Sequence, residues 1–141
     1  MFQQLAIATG MILLTVVIHA LGLIMLRRVV RYEVSHAPVD HGPRPTVLGV
    51  ALTLTVVFGV FALHGVEIWL YAGLYLLLGA LPDLETAVYF STITYGTVGF
   101  DDEGFSQSWQ LVSAIESING IILLGWSTAF FVSIGNRFTR R

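Results

Sequence analysis

Polar residues divide this chain into three long apolar blocks. Leu5 to Leu26 is a 22-residue run interrupted only by small polar residues and His19, enough to cross a hydrocarbon layer as a helix. The residues before it, Met-Phe-Gln-Gln, hold no Lys or Arg and no small-x-small cleavage site follows, so the run reads as a membrane helix rather than a secretory signal. A polar connector follows from Arg27 to Pro45, whose prolines and Gly42 exclude a continuous helix. Thr46 to Leu81 is then apolar for 36 residues. As one helix this block would measure about 54 Å against a hydrocarbon thickness of about 30 Å. The block must therefore break or leave the membrane, and His64-Gly65 with the nearby Glu67 mark the place. Thr46 to about Leu63 should cross, and Val66 to Leu81 should continue into or along the outer interface, where Trp69, Tyr71 and Tyr75 suit the depth. Pro82-Asp83 stops the run. Leu84 to about Gly96 suits a short re-entrant helix with Asp83 or Glu85 at its N-terminal end. The last block runs from about Trp109 to Ile134.

Composition agrees with this layout. Hydrophobic residues make up 55% of the 141 and charged residues 11%, where soluble domains carry about 25% charge. The class is therefore an all-α integral membrane protein with no separate soluble core. With no cysteine, neither a disulfide framework nor a thiolate metal site is available. Nucleophile–base pairs, phosphate-binding glycine loops and metal-ligand motifs are absent from the sequence, so it reads as neither an enzyme nor a nucleic-acid binder, and no cofactor is expected. The organisation is an N-terminal transmembrane helix (1–26), a cytoplasmic connector (27–45) and a second module (46–141). All seven basic residues are arginines: Arg27, Arg28, Arg31, Arg44, Arg137, Arg140 and Arg141. They fall in the connector and near the C-terminal end. Three crossings and one re-entrant loop put those regions on one side, and the positive-inside rule makes it the cytoplasm, leaving the N terminus outside. Lipid contacts follow from this placement, and arginines of the connector can also hold anionic headgroups.

Between the second and third blocks lies Tyr89-Phe-Ser-Thr-Ile-Thr-Tyr-Gly-Thr-Val-Gly-Phe-Asp-Asp102. It resembles the pore helix and selectivity filter of the potassium channel superfamily, whose Thr-Thr-Val-Gly-Tyr-Gly-Asp motif aligns with Gly96, Thr97, Val98, Gly99, Phe100, Asp101 and Asp102. The resemblance extends over about Thr46 to the C terminus as a two-helix pore module, and the chain is most similar to small bacterial channels with an extra N-terminal helix. It implies a multi-pass protein of the bacterial inner membrane with a pore loop. Stripping water from a potassium ion requires oxygen ligands, and backbone carbonyls of four filter strands can supply them. One loop per chain then requires a homotetramer. The resemblance places potassium at Thr97, Val98, Gly99 and Phe100, with Gly99 supplying unusual backbone angles, Thr97 adding a hydroxyl at the inner end, and Phe100 packing outward against Tyr89 and Phe90.

Asp101 stands where the second filter glycine belongs. Asp tolerates a left-handed backbone better than most residues, and its carboxylate joins Asp102 and Glu103 at the outer mouth. Four copies of each would focus cations there and make calcium binding possible. A potassium-selective pore, a weakly selective or divalent-binding cation pore, and a non-conducting channel-like subunit thus stand as alternatives. Glu116, deep in the last block, needs a partner. Contact with Thr92 or Thr94 behind the filter is expected, as a buttress between helices or a proton-sensitive gating element. Gly120 and Gly125 permit close packing or bending. His19 and His64 read as isolated structural histidines on separate segments, while His36 and His41 share the connector.

Overall fold

The computed structural model describes residues 1–36, 46–99 and 104–139, the side chains of 34, 36, 46–48 and 135–139 aside. Four α-helices account for most of it: α1 (Phe2–His36), α2 (Thr46–Leu77), α3 (Leu84–Tyr95) and α4 (Gln110–Thr139), the last entered through a 3₁₀ turn over Gln107–Trp109. Three stretches are long and apolar enough to cross a membrane: Phe2–Glu33, Gly49–Leu77 and Gln107–Ile134.

Helix α1 does not stop at Leu26. Arg27, Arg28 and Arg31 are good helix formers and are exposed. Helix continues to His36, where Pro38 makes the next residue unfavourable for α geometry. The first ten residues of the expected connector are thus helical.

Of the two outcomes expected at His64-Gly65, a break does not occur: α2 is one helix of 32 residues. A single glycine costs a helix only about 1 kcal/mol relative to alanine. The polar residues need no interface, since both face protein. Leu52, Val56, Val60, His64, Glu67, Tyr71 and Tyr75 are all buried and recur every three or four positions, forming one inward stripe. Tyr71 and Tyr75 are fully buried, so they are core residues rather than interface anchors, while Trp69 stays exposed. A helix about 48 Å long exceeds the hydrocarbon layer, and the surplus goes into tilt or overhang.

Helix α2 ends before Pro82. Gly79 takes a left-handed φ of +61°, which lets the Ala80 N–H reach the Tyr75 carbonyl (2.8 Å) and its own N–H reach the Leu76 carbonyl (3.1 Å). These paired bonds satisfy carbonyls that a helix end otherwise leaves open. The chain then reverses into α3.

Helices α1 and α3 each pack against both α2 and α4, which touch each other little. Between α1 and α2 a pair of glycines allows close approach: Leu63 fills the space where Gly22 has no Cβ, and Leu26 does the same at Gly59. Around α3 the core is aromatic. Phe90 stacks on Phe105 with centroids 4.5 Å apart, and Tyr75 meets both rings edge-on. Phe105 pins the segment after the pore-like loop against α2 and α3, helped by the Ser106 N–H donating to the Ala80 carbonyl (3.2 Å).

Candidate functional site: a short helix held by two carboxylates

Helix α3 is defined at both ends by local chemistry. Asp83 is its N-cap, with extended backbone, and its carboxylate accepts from the Thr86 N–H (2.9 Å) and hydroxyl (2.8 Å). Those bonds hold the Asp83 carboxyl below its ordinary pKa. At the other end the Val98 N–H donates to the Ile93 carbonyl (3.0 Å) and the Thr97 N–H to the Thr94 carbonyl (3.1 Å). This is the same terminus as at Gly79, with threonine in the left-handed position at φ +56°. Where unusual backbone angles are expected at Gly99, the left-handed residue among those described in this segment is Thr97. Glycine at 99 does not adopt positive φ. Thr97, Val98 and Gly99 leave the helix exposed, Val98 at 81%. Phe100, Asp101, Asp102 and Glu103 lie outside the described residues. Phe90 stacks on Phe105 and Tyr89 is exposed, while the expected packing of Phe100 against them lies outside the described residues.

Two buried carboxylates grip α3 from neighbouring helices. Ser91 and Tyr95, one turn apart on its inner face, supply the handles. The Ser91 hydroxyl donates to Glu116 Oε1 (2.5 Å) and also lies 3.0 Å from the Ile68 carbonyl. Glu116 accepts the Tyr75 hydroxyl on its other oxygen. It therefore contacts neither Thr92 nor Thr94. The Thr92 hydroxyl turns back to the Val88 carbonyl, and the Thr94 hydroxyl is buried without a partner. Glu116 projects from α4 toward Ser91; Thr92, the next residue, points to the exposed side of α3, and Thr94 lies about one turn further along.

The second carboxylate is Glu67 of α2. Its Oε2 accepts the Tyr95 hydroxyl (2.5 Å) and lies 3.2 Å from His64 Nδ1, while Oε1 lies 2.9 Å from His19 Nδ1. His19 and His64 are thus not isolated: from separate helices they meet on one carboxylate, Glu67, which lies 48 positions from His19. Ser127 of α4 closes the group, with its Oγ 3.0 Å from His64 Nε2 and 3.3 Å from His19 Nε2. Between the two carboxylates, Asn119 donates to the Thr15 hydroxyl (2.8 Å) and the Tyr71 hydroxyl (3.2 Å). Every helix contributes, so the polar interior is one layer joining α1 to the end of α3. His19, His64 and Glu67 each offer a metal-ligating atom within 4.8 Å of the others.

Gly120 stands where α4 crosses the end of α3. A Cβ there would collide with the Tyr95 carbonyl, so this glycine is needed for close approach. Gly125 faces open space. On the opposite side of α4, Ile118, Ile121, Ile122 and Val132 form an exposed apolar face.

Sequence reasoning passed over the Glu67 group. Its signal was the helical spacing of His64 and Glu67 with Val60 and Tyr71, and of His19 with Thr15 and Leu23, which puts polar atoms on two inward faces.

Three apolar helices, with a short capped helix between the last two ending in exposed backbone, define an integral membrane protein of the ion-channel type. A family model described as Ion channel (Ion_trans_2) matches residues 50–136, more than half of the chain, and the protein belongs to this pore-loop ion channel family. The matched region begins inside α2 and leaves α1 outside it. The family's work is ion passage, a non-enzymatic role. No curated protein and no solved structure matches the chain.

Proposed function

We propose that the protein is a homotetrameric cation channel that passes potassium passively through a filter formed by residues 97–101. The observation that carries this reading is the exit of α3: a helix capped at Asp83 and gripped at Ser91 and Tyr95 delivers Thr97, Val98 and Gly99 as exposed backbone. Four such segments around one axis would present the rings of carbonyls that replace a hydration shell. Helix α3 then acts as the re-entrant pore helix, and the exposed face of α4 lines the cavity or meets neighbouring chains. The arginines toward the end of α1 and in the C-terminal segment support, by the positive-inside rule, a cytoplasmic C terminus and an outer N terminus, and the resemblance to small bacterial channels supports a bacterial inner membrane.

A second reading, a weakly selective or divalent-binding cation pore, is favoured by Asp101 in the position of a filter glycine, with Asp102 and Glu103 beside it. Flux through liposomes holding the purified protein, with reversal potentials under potassium, sodium and calcium gradients, separates the two. Potassium-selective flux supports the first. Equal potassium and sodium permeability that becomes selective in Asp101→Gly supports the second. Absence of flux in wild type and variant would reject both and leave a non-conducting subunit.

A further inference from the structure

We propose that His19, His64 and Glu67 form an intramembrane binding site for one divalent transition metal of the zinc class. The argument begins with a count of hydrogens. Six close contacts link Glu67, His19, His64, Tyr95 and Ser127. With neutral imidazoles the group has four hydrogens: one on each ring and one on each hydroxyl. Let Tyr95 and His19 Nδ1 donate to Glu67, and let one His64 Nδ1 hydrogen be shared between Glu67 and Tyr95. Ser127 then has a single hydrogen for two Nε2 atoms, and one ring lone pair faces the hydroxyl oxygen with nothing between them. Moving the His64 hydrogen to Nε2 shifts the defect: Tyr95 must then serve both Glu67 and His64 Nδ1. In every neutral tautomer the group has one lone pair too many, beside a buried carboxylate whose only salt-bridge partners among the described residues are these two imidazoles, and either one added proton or a metal ion would fill it.

A metal ion removes the surplus. Bound by His19 Nδ1, His64 Nδ1 and one Glu67 oxygen, it sends each ring hydrogen to Nε2. Both Nε2–H groups then donate to the two lone pairs of Ser127 Oγ, and Tyr95 still donates to the free Glu67 oxygen. No hydrogen is lost or gained and every ring nitrogen has a partner, which leaves the Ser127 hydroxyl hydrogen as the one still to be placed, outside the five-residue group. Ser127 thereby does what outer-shell groups do at metal histidines, fixing tautomer and ring direction. Two imidazoles with a carboxylate form a set suited to zinc-class ions. Ligands about 2.0–2.1 Å from a tetrahedral ion lie about 3.3 Å apart. Each imidazole stands near that separation from its own oxygen of Glu67, His19 Nδ1 2.9 Å from Oε1 and His64 Nδ1 3.2 Å from Oε2, and one ligating atom from each of the three residues lies within 4.8 Å of the others, so binding through a single Glu67 oxygen requires the rings to shift toward it. His64 gives the way in, since its side chain is 11% exposed while those of His19 and Glu67 are sealed. Tyr95 leads through Gly96 to Thr97, so occupancy would be coupled to the filter. That consequence rests on the proposed channel function, whereas binding does not.

The test is metal binding by the full chain in lipid nanodiscs, stripped with chelator and titrated with Co²⁺, whose visible bands report coordination, and with Zn²⁺ counted by elemental analysis. One ion per chain with four- or five-coordinate Co²⁺ bands is expected. The near-isosteric His19→Gln and Glu67→Gln variants should each weaken binding by at least about 100-fold, and Ser127→Ala by about 10-fold. Replacing both His36 and His41 by Gln should leave it unchanged. If a ligand variant fails to assemble, Ser127→Ala carries the decision, since undiminished affinity there overturns the site. Wild type that takes up less than about one-tenth of an ion per chain at saturating Zn²⁺ overturns it too, as does binding that survives His19→Gln but is lost in the His36/His41 variant.

Discussion

Thr97 is the single non-glycine residue at positive φ among the described residues. A β-branched side chain there costs about 1–2 kcal/mol. Thr97→Gly should therefore raise stability by about 1 kcal/mol, read as a higher Tm in detergent. Lower potassium preference in the same variant would be the expected loss of its hydroxyl ligand under the channel reading. Gly120 and Gly125 make a matched pair. Gly120→Ala pushes a methyl into the Tyr95 carbonyl and should cost about 1–3 kcal/mol, whereas Gly125→Ala meets nothing and should be neutral or slightly stabilising. Equal effects at the two positions would contradict the close crossing of α4 over α3. At Asp83 the sign is set by its lowered pKa, caused by the Thr86 bonds. The cap's contribution is present above the ordinary carboxyl value of 3.8 and fades as pH falls through the depressed folded value. The gap in Tm between wild type and Asp83→Asn should be present near pH 7 and close in strong acid.

At the scale of elements, the continuity of α2 has a direct check. Gly65 is helical with open space beside its Cα, so Gly65→Ala should stabilise the protein by about 0.5–1 kcal/mol. A loss of stability would point to a bend at that position. The grip of α4 on α3 is a coupling between elements. Tyr75→Phe and Ser91→Ala each remove a donor to the buried Glu116 and should cost about 1–3 kcal/mol. In a Glu116→Leu background both penalties should shrink, because the acceptor is gone, and a double-mutant cycle on urea or thermal unfolding measures the difference. Additive losses would mean that these hydroxyls act through other contacts. The element boundaries legible in the sequence were those with strong local chemistry. Asp83 before an apolar run marked the start of α3, and the prolines near 38 and 45 separated α1 from α2. Gly79, the actual terminator of α2, sits in an apolar run three residues before a proline. Its signal was masked by the louder one.

For the whole molecule, assembly is the decisive issue. Val98 and the Ile118–Val132 face of α4 are exposed in the single chain, an arrangement suited to burial against other copies around an axis. Native mass spectrometry from nanodiscs should give four times the 15.5 kDa chain mass. A dimer as the largest species would remove the one-loop-per-chain filter. Helix α1 packs into the same bundle as the family-matched region although the match does not include it. Its Thr15 and His19 join Asn119 and Glu67, so removal of α1 would leave buried polar groups of α2 and α4 without partners.

Membrane class, three crossings and the short helix before a filter-like loop were determined by the sequence alone, because hydropathy, capping and the glycine-rich motif act over a few turns of chain. The placement of polar side chains inside the bundle was decided by tertiary structure. Glu116 had several acceptable neighbours at sequence level, and only the crossing of α4 over α3 selected Ser91 and Tyr75 over Thr92 and Thr94. His64-Gly65 with Glu67 looked like a break because length and polarity argued against one long helix; the imidazole of His19, brought from 48 residues away by the α1–α2 contact, makes those polar groups tolerable inside it. Local patterns specify which segments enter the membrane, but a buried charge is settled by the partners that distant segments deliver.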